Sequence, residues 1–313
     1  MRPVRSLGAV ALVALVCAGA CGGPGPSTGG SDADQSRQPG SSAGAARRPP
    51  DVYVPPGHDS RVPLPLVILL HGYQSSSDKV ERYFDLQPAA TRIGFIYVRP
   101  NGSKDRSGDQ FWNATDACCD LTGTGVDDSA YLAQLIADLE ARYPVDPRRV
   151  YLVGHSNGGF MAYRMACDHA DRIAAIVSLA GATIADPRRC TPSTAVSVLE
   201  VHGTADDLIA YTGGSIRGHQ FPAATVTVKD WARLDRCATD PIRQPALDLI
   251  EQPDVRSSAP PLSGAETSVL AYPRCAATTT VELWTIRGGG HIPGLTPRFT
   301  AEVIDFLLAH PKP

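Results

Sequence analysis

The sequence has little net charge, no long apolar run and no paired-cysteine metal motif. Its 29 Lys and Arg stand against 32 Asp and Glu, which leaves a net charge of −3. A protein that binds nucleic acid by displacing counterions needs a basic excess, and this chain has no Lys/Arg block. No C-x₂-C motif is followed by a second one, so a cysteine-bound zinc has no support. The 43% apolar and 19% charged residues are typical of a folded globular chain.

The first 20 residues are typical of an export signal. Arg2 and Arg5 precede an uncharged and mostly apolar run of 14 residues, from Leu7 to Ala20. A helix that spans a bilayer needs about 20 such residues, so we predict a signal peptide over 1–20 rather than a membrane span. The residues before Cys21 are small, as in bacterial lipoproteins, whose cysteine carries the lipid. We therefore expect export and lipid anchoring through Cys21, with simple cleavage and secretion as the alternative.

A linker follows the signal. Residues 22–50 contain seven Gly, five Pro and five Ser and no apolar period. Such a segment cannot bury enough surface to offset the entropy lost on ordering. We predict a disordered tether over 21–50 and one folded domain over 51–313. The sequence carries no signal for an oligomeric state.

Strands and helices alternate along the folded part. Short apolar runs separated by amphipathic segments are typical of buried parallel strands joined by helices. The predicted strands are Pro65–Leu70, Ile93–Val98, Val150–Val153, Ala174–Leu179, Val196–Val201 and Val281–Ile286. The predicted helices are Val126–Tyr143, Gly158–Cys167, Val226–Leu234 and Phe299–His310. We therefore predict one doubly wound α/β domain with a mostly parallel sheet, and we interpret the Pro/Ser/Thr-rich stretch 237–280 as an inserted loop or cap.

A G-x-S-x-G motif lies between a predicted strand and the helix that follows it. Gly154 and Gly158 leave room for a very tight turn, which would expose Ser156 at the N-terminus of the helix. Backbone N–H groups at a helix N-terminus can stabilise negative charge. We therefore predict that Ser156 is a nucleophile.

A serine nucleophile needs a histidine base and a carboxylate that orients the base. In hydrolases with this motif the chain order is serine, acid, histidine. His291 follows the predicted strand Val281–Ile286 and three glycines, and we predict it to be the base. The loop after Val196–Val201 carries Asp206, which we predict to be the acid, and Asp207, which is the alternative.

The intermediate of such a reaction also needs an oxyanion hole. We assign one donor to the backbone N–H of Asn157, the residue after the nucleophile. We assign the second to the backbone N–H of Tyr73, in the loop after the strand Pro65–Leu70. We expect the neighbouring His71 to shape this loop rather than to act as a base. No motif in the sequence calls for a metal ion or an organic cofactor.

A set of short motifs is spread along residues 51–313. They are Leu70-His71-Gly72, Phe111-Trp112-Asn113-Ala114 with Cys118-Cys119, Val126-Asp127-Asp128, Tyr143–Val150, Gly154–Gly159, His202-Gly203-Thr204 with Asp206, Trp231-Ala232-Arg233 before Cys237, and Gly288–His291. As a set they resemble the secreted esterases grouped with polyhydroxybutyrate depolymerases and feruloyl esterases. The resemblance implies an α/β-hydrolase fold and an extracellular carboxylic-ester hydrolase without a cofactor. It also implies Ser156, Asp206 and His291 as the catalytic triad.

One departure from the family pattern bears on the substrate. The family commonly has Thr-Trp-Pro-Gly after the catalytic histidine, whereas this chain has Ile292-Pro293-Gly294. The missing tryptophan would help to wall the substrate pocket, so the substrate does not carry over with the triad. Trp112 is the candidate that could line the cleft instead, and a core position beside the cysteines is the alternative.

Apart from Cys17 and Cys21, the chain has six cysteines. An even number in an exported chain favours disulfides over metal ligands. We predict a bridge between Cys237 and Cys275 that closes the insertion. For the adjacent Cys118 and Cys119 we predict separate partners, namely Cys167 and Cys190.

The function predicted from these observations is a serine carboxylesterase that acts on feruloyl, acetyl or short hydroxyacyl esters through an acyl-enzyme. Two alternatives remain. One is a tethered surface protein whose hydrolase fold binds envelope glycan or polymer, and the other is a serine peptidase on the same fold. A complete serine, aspartate and histidine set disfavours the binding protein. The expected partner is a small or oligomeric ester, with no nucleic acid and no membrane contact beyond the lipid anchor.

Overall fold

The computed structural model describes residues 47–256, 258 and 260–313 of the chain. The predicted signal peptide over 1–20, the candidate lipidation site Cys21 and most of the predicted tether lie outside the described residues. Within the described part, no helix is long and apolar enough to cross a membrane.

The described chain contains fifteen strands and six α-helices. The strands are β1 (Asp51–Tyr53), β2 (Leu64–Leu70), β3 (Ile96–Arg99), β4 (Ser103–Lys104), β5 (Gln110–Phe111), β6 (Val145–His155), β7 (Ala175–Leu179), β8 (Ser197–Gly203), β9 (Gly214–Ile216), β10 (His219–Phe221), β11 (Ile242–Leu247), β12 (Ile250–Gln252), β13 (Thr267–Tyr272), β14 (Val281–Ile286) and β15 (Gly294–Leu295). The helices are α1 (Ser77–Phe84), α2 (Leu86–Ala89), α3 (Asp128–Arg142), α4 (Asn157–Asp168), α5 (Ala224–Leu234) and α6 (Pro297–Ala309).

Nine of these strands form one sheet in the order β1-β3-β2-β6-β7-β8-β14-β13-β11. The six strands from β3 to β14 run parallel to one another. The edge strands β1, β13 and β11 pair antiparallel with their neighbours. Because the carboxyl ends of parallel strands share one end of a sheet, the segments after β2, β6, β8 and β14 all emerge there.

Helices cover both faces of the sheet. In β2, Leu66, Ile68 and Leu70 pack into one core cluster with α3, α4 and α5. The alternate residues Val67 and Leu69 pack into a second cluster with α1 and α6. Strands buried on both faces have continuous apolar runs, which is the pattern found in the sequence. The predicted doubly wound, mostly parallel α/β fold is confirmed.

The stretch 237–280 is not a separate cap. Two parts of it, β11 and β13, extend the main sheet beyond β14 as antiparallel strands. Most of β11 is exposed, so it has no apolar run that would mark it as a strand. The sequence analysis also did not predict α1, whose buried residues Val80 and Phe84 add to the core.

Candidate active site

Ser156 occupies a sharp turn between the end of β6 and the start of α4. Its backbone has φ of 54° and ψ of −120°. A positive φ is rare for a residue with a side chain and marks a strained backbone. A Cβ on Gly154 would meet the carbonyl group of Gly158, and one on Gly158 would meet the carbonyl group of Leu70. Both glycines are therefore needed for the turn that presents Ser156.

Asp206 and His291 meet across two neighbouring strands. Asp206 follows β8 and His291 follows β14, and these strands are parallel neighbours. Nδ1 of His291 lies 2.8 Å from Oδ2 of Asp206, and both residues are buried. Because the carboxylate of Asp206 accepts a hydrogen bond from the N–H at Nδ1 of His291, Nε2 of His291 is the ring nitrogen that can take up a proton. Asp207 instead lies 3.2 Å from Arg256, so Asp206 is the carboxylate that the structure brings to His291.

Another buried histidine, His202, also contacts Asp206, and its Nε2 lies 3.4 Å from Oδ2 of that carboxylate. Its Nδ1 is 2.9 Å from Oε1 of Glu200, and its Nε2 donates to the carbonyl oxygen of Ile209 at 2.7 Å. Burial by itself lowers the pKa of His202, but its hydrogen bonds to Asp206 and Glu200 raise that pKa to about 10. Burial likewise raises the pKa of Asp206, yet hydrogen bonds from His202 and His291 hold it well below its ordinary value. Asp206 is therefore ionised at neutral pH, and the sequence analysis did not foresee this support.

Ser156 and His291 open into one cleft with a volume of about 740 Å³. The cleft wall is mainly apolar, and two of its residues, Leu208 and Val255, are exposed. Such a wall suits an apolar group of a bound small molecule. Within the described residues, no group of three or more His, Cys, Asp or Glu could hold a metal ion.

The loop after β2 brings Tyr73 to this cleft. Nε2 of the buried His71 accepts from the backbone N–H of Gly102 at 2.9 Å, and Nδ1 donates to the carbonyl of Gly72 at 2.7 Å. The hydroxyl of Tyr73 donates to Oδ2 of Asp105 at 2.8 Å. Burial lowers the pKa of His71 to about 4, so this imidazole is neutral at neutral pH. Its two hydrogen bonds help to fix the conformation of the loop after β2. The assignment of the Tyr73 N–H to an oxyanion hole stays a prediction.

Trp112 does not line the cleft. It is fully buried in the core cluster on the α3–α5 face. Its indole N–H donates to the carbonyl oxygen of His71 at 3.0 Å, and its backbone bonds the side chain of Asn157. The cleft prediction is therefore wrong, because Trp112 directly follows the short strand β5 and its ring is buried against the loop after β2. The backbone N–H of Asn157, the other predicted oxyanion donor, lies in the first turn of α4, where N–H groups lack acceptors within the helix.

The cysteines form three pairs at disulfide distance. Cys237 and Cys275 are paired as predicted. The prediction of separate partners for Cys118 and Cys119 is wrong, because these two residues pair with each other and line the cleft. The third pair is Cys167 and Cys190, which joins the last turn of α4 to the segment after β7.

Two relatives of this chain are named as esterases, and each aligns with it over part of its own length. Feruloyl esterase B of Piromyces equi is 29% identical over 251 residues, which make up 78% of this chain and 42% of that protein. The putative esterase NocK of Nocardia uniformis subsp. tsuyamanensis is 28% identical over 248 residues, covering 77% of this chain and 69% of that protein. The chain thus spans less than half the length of the Piromyces protein.

Two solved structures share the fold. The acetyl xylan esterase from Aspergillus awamori superposes with a TM-score of 0.57 at 15% identity, over 82% of this chain and 93% of that one. Esterase PE8 gives a TM-score of 0.53 at 18% identity, over 83% of this chain and 97% of that one. At such identities the likeness concerns the fold alone.

The family model described as Esterase PHB depolymerase matches residues 50–238. That range includes Ser156 and Asp206 and ends before His291. Because the match covers more than half of the 313 residues, the chain belongs to the esterase PHB depolymerase family.

Proposed function

We propose that this chain is a serine carboxylic-ester hydrolase that works through an acyl-enzyme. The observation that carries the proposal is the 2.8 Å contact between Nδ1 of His291 and Oδ2 of Asp206, in a cleft that Ser156 also lines. This arrangement supplies a nucleophile, a base and a carboxylate that orients the base. Membership of an esterase family supports the same conclusion.

Acylation begins when Oγ of Ser156 attacks the ester carbonyl carbon and Nε2 of His291 takes the hydroxyl proton. The carbonyl π electrons move to oxygen, and the backbone N–H groups of Asn157 and Tyr73 are proposed to stabilise that negative charge. Collapse of the intermediate expels the alcohol, which receives the proton from His291. Water then repeats these steps on the acyl-enzyme, releases the acid and restores Ser156. Ionised Asp206 stabilises the imidazolium of His291 in both halves.

The proposed substrates are feruloyl, acetyl or short hydroxyalkanoate esters. The apolar cleft wall, with Val80, Leu121 and Ile209 among its residues, suits a short apolar acyl or alcohol group. The names of relatives, among them feruloyl esterases and a poly(3-hydroxyalkanoate) depolymerase, support these classes. The proposed reaction uses only side chains and backbone N–H groups of this chain.

We also propose that the protein is exported and held at the cell envelope by a lipid on Cys21. Three cysteine pairs at disulfide distance support export, because disulfides persist in oxidising compartments. Fractionation of cells that express the wild type and Cys21→Ser tests the anchor. The wild type should sediment with membranes and the variant should not.

An ester panel tests the proposed activity. It contains p-nitrophenyl acetate and butyrate, methyl ferulate and hydroxybutyrate oligomers, with Ser156→Ala as the control. We expect hydrolysis by the wild type, its loss in Ser156→Ala, and labelling of Ser156 by a fluorophosphonate. Hydrolysis of peptide amides without ester hydrolysis would favour a peptidase. Absence of both labelling and turnover would favour the glycan- or polymer-binding alternative.

A further inference from the structure

The peptide group that joins His291 to Ile292 is held at both of its polar ends. Nε2 of His155 donates to the carbonyl oxygen of His291 at 2.9 Å. The N–H of Ile292 donates to Oδ2 of Asp254 at 3.1 Å. This peptide group comes directly after the proposed base, so its orientation helps to set where the imidazole of His291 points.

His155 is a neutral donor at this position. Its acceptor is a carbonyl oxygen, which assigns the ring proton to Nε2. Its ring is buried between two others, with centroids 5.3 Å from Tyr83 and 5.0 Å from His291. Burial and the neighbouring His291 lower the pKa of His155 to about 3. The hydrogen bond to His291 therefore persists across the range in which an imidazole base can work.

Asp254 is buried, and its carboxylate accepts three hydrogen bonds from Arg256. Its Oδ1 accepts from both the backbone N–H and Nε of Arg256 at 2.8 Å, and its Oδ2 is 2.7 Å from a terminal nitrogen of Arg256. Burial alone would raise the pKa of Asp254, but the bonds from Arg256 lower it to about 2. A Cβ on Gly290 would collide with this carboxylate. Asp254 is thus an ionised acceptor in close contact with the loop of the base.

The same segment also reaches the loop of the acid. Arg256 lies 3.2 Å from Oδ1 of Asp207, the neighbour of Asp206. Two backbone hydrogen bonds also join this segment to the residues around His291. The N–H of Gly290 donates to the carbonyl oxygen of Pro253 at 2.6 Å, and the N–H of Val255 donates to the carbonyl oxygen of Ile292 at 2.8 Å. The segment 253–256 is therefore hydrogen-bonded to the residue before His291 and to the residue after it.

We propose that His155 and Asp254 are positioning residues for His291, acting on the peptide group that follows it. The inference rests on the proposed function, in which His291 is the base. Asp254 lies beyond residue 238, where the family match ends. A fixed buried charge and a fixed neutral donor hold one peptide plane more tightly than either would alone. Since displacement of a reacting group by about 1 Å can cost about 100-fold in rate, such a hold bears on kcat.

The test compares variants that abolish each hydrogen bond with variants that conserve it. Asp254→Ala removes the acceptor and His155→Leu removes the donor. By contrast, Asp254→Asn keeps an acceptor and His155→Gln keeps a donor. With p-nitrophenyl butyrate we expect kcat to fall about 10- to 100-fold in the first pair. We expect KM to stay within about twofold and the conservative variants to recover part of kcat. Active sites are counted by fluorophosphonate labelling, and Tm is measured in parallel.

Asp59→Ala is the matched control. Asp59 holds Arg61, two residues later, through the same fork of contacts at 3.0, 3.0 and 2.8 Å, but on the exposed surface. We expect wild-type kcat and KM in this variant. Its normal activity would show that loss of an Asp-x-Arg fork does not by itself lower the rate.

Three results would overturn the inference. The first is a kcat per labelled site within twofold of the wild type in both Asp254→Ala and His155→Leu. The second is a rise in KM at unchanged kcat, which would indicate substrate contact. If Asp254→Ala does not fold, His155→Leu and Arg256→Gln carry the test, because the first removes the donor to His291 and the second removes side-chain contacts that hold Asp254. An unchanged kcat in both is the third. A wild type that neither hydrolyses esters nor is labelled refutes the proposed function itself, whereas an active wild type with unaffected variants refutes the positioning role alone.

Discussion

The side-chain amide of Asn157 pairs with both backbone polar groups of Trp112. Its Oδ1 accepts from the N–H of Trp112 at 2.7 Å, and its Nδ2 donates to the carbonyl of Trp112 at 2.8 Å. Both residues are fully buried. The residue after the nucleophile is thereby tied to the segment beneath the loop of Tyr73, so the two predicted oxyanion donors share one support.

Replacing Asn157 by alanine should weaken both the fold and the site. The buried N–H of Trp112 would lose its acceptor, while the carbonyl of Trp112 would keep the N–H of Cys119 at 3.2 Å. We therefore expect a loss of about 1–3 kcal/mol in the free energy of unfolding, together with a lower kcat. Urea denaturation and ester kinetics measure the two effects. Gln134→Ala, which removes an exposed hydrogen bond to Asp138, serves as the control and should change neither. Wild-type stability in Asn157→Ala would contradict the prediction.

Trp112→Phe should reduce stability without changing KM. The variant keeps most of the buried ring but leaves the carbonyl of His71 without its indole donor, which costs about 1–3 kcal/mol. Thermal unfolding and Michaelis kinetics check this. A clear change of KM at unchanged stability would instead support a position for Trp112 in the cleft.

Asp206 and its neighbour Asp207 form a matched pair for testing the acid. Asp206→Asn removes the charge that faces Nδ1 of His291, and in other serine hydrolases the equivalent change lowers kcat by about 10⁴. Asp207→Asn removes an exposed partner of Arg256 and should cost only a few-fold. Steady-state kinetics of both variants decide the assignment, and a larger loss in Asp207→Asn would reverse it.

Asp235 should make stability fall as pH rises. Burial raises its pKa in the folded protein to about 7, above the ordinary value of 3.8. Between those two values the unfolded chain releases a proton that the folded chain retains, so unfolding becomes more favourable with rising pH. We therefore expect Asp235→Asn to raise Tm at pH 8 and to leave it nearly unchanged at pH 4. Asp240→Asn, at an exposed position, is the control, and equal Tm shifts at the two pH values would contradict the assignment.

We expect the pair Cys237–Cys275 to contribute to stability and the pair Cys118–Cys119 to contribute to substrate binding. Cys237 and Cys275 are separated by 38 residues, so their link constrains the unfolded chain by about 4 kcal/mol. Cys118 and Cys119 are adjacent and close no long loop, but they line the cleft. The alanine double variant of Cys237 and Cys275 should have a lower urea midpoint and an unchanged KM. The double variant of Cys118 and Cys119 should have a nearly unchanged urea midpoint and an altered KM. Urea midpoints and KM values of both double variants measure this, and an unchanged midpoint in the first would be evidence against it.

Local patterns were enough to predict the order of the main elements. Buried parallel strands have apolar runs, and the motif around Ser156 requires glycines at fixed positions, so both are visible in the chain. Strand β11 was missed because its exposed edge position leaves it polar. Asp254 was missed because an aspartate before Val255-Arg256 has the same local sequence whether it caps a surface loop or supports a base.

The sequence by itself determined the fold class, the family resemblance, and the choice of Ser156 and His291 as site candidates. Each of these depends on residue types at short range or in a fixed chain order. Only the tertiary structure decided that Asp206 rather than Asp207 faces His291, that Trp112 lies in the core, and that Cys118 pairs with Cys119. These outcomes depend on where distant segments meet in space, and the alternatives have nearly the same local sequence and differ only in their contacts.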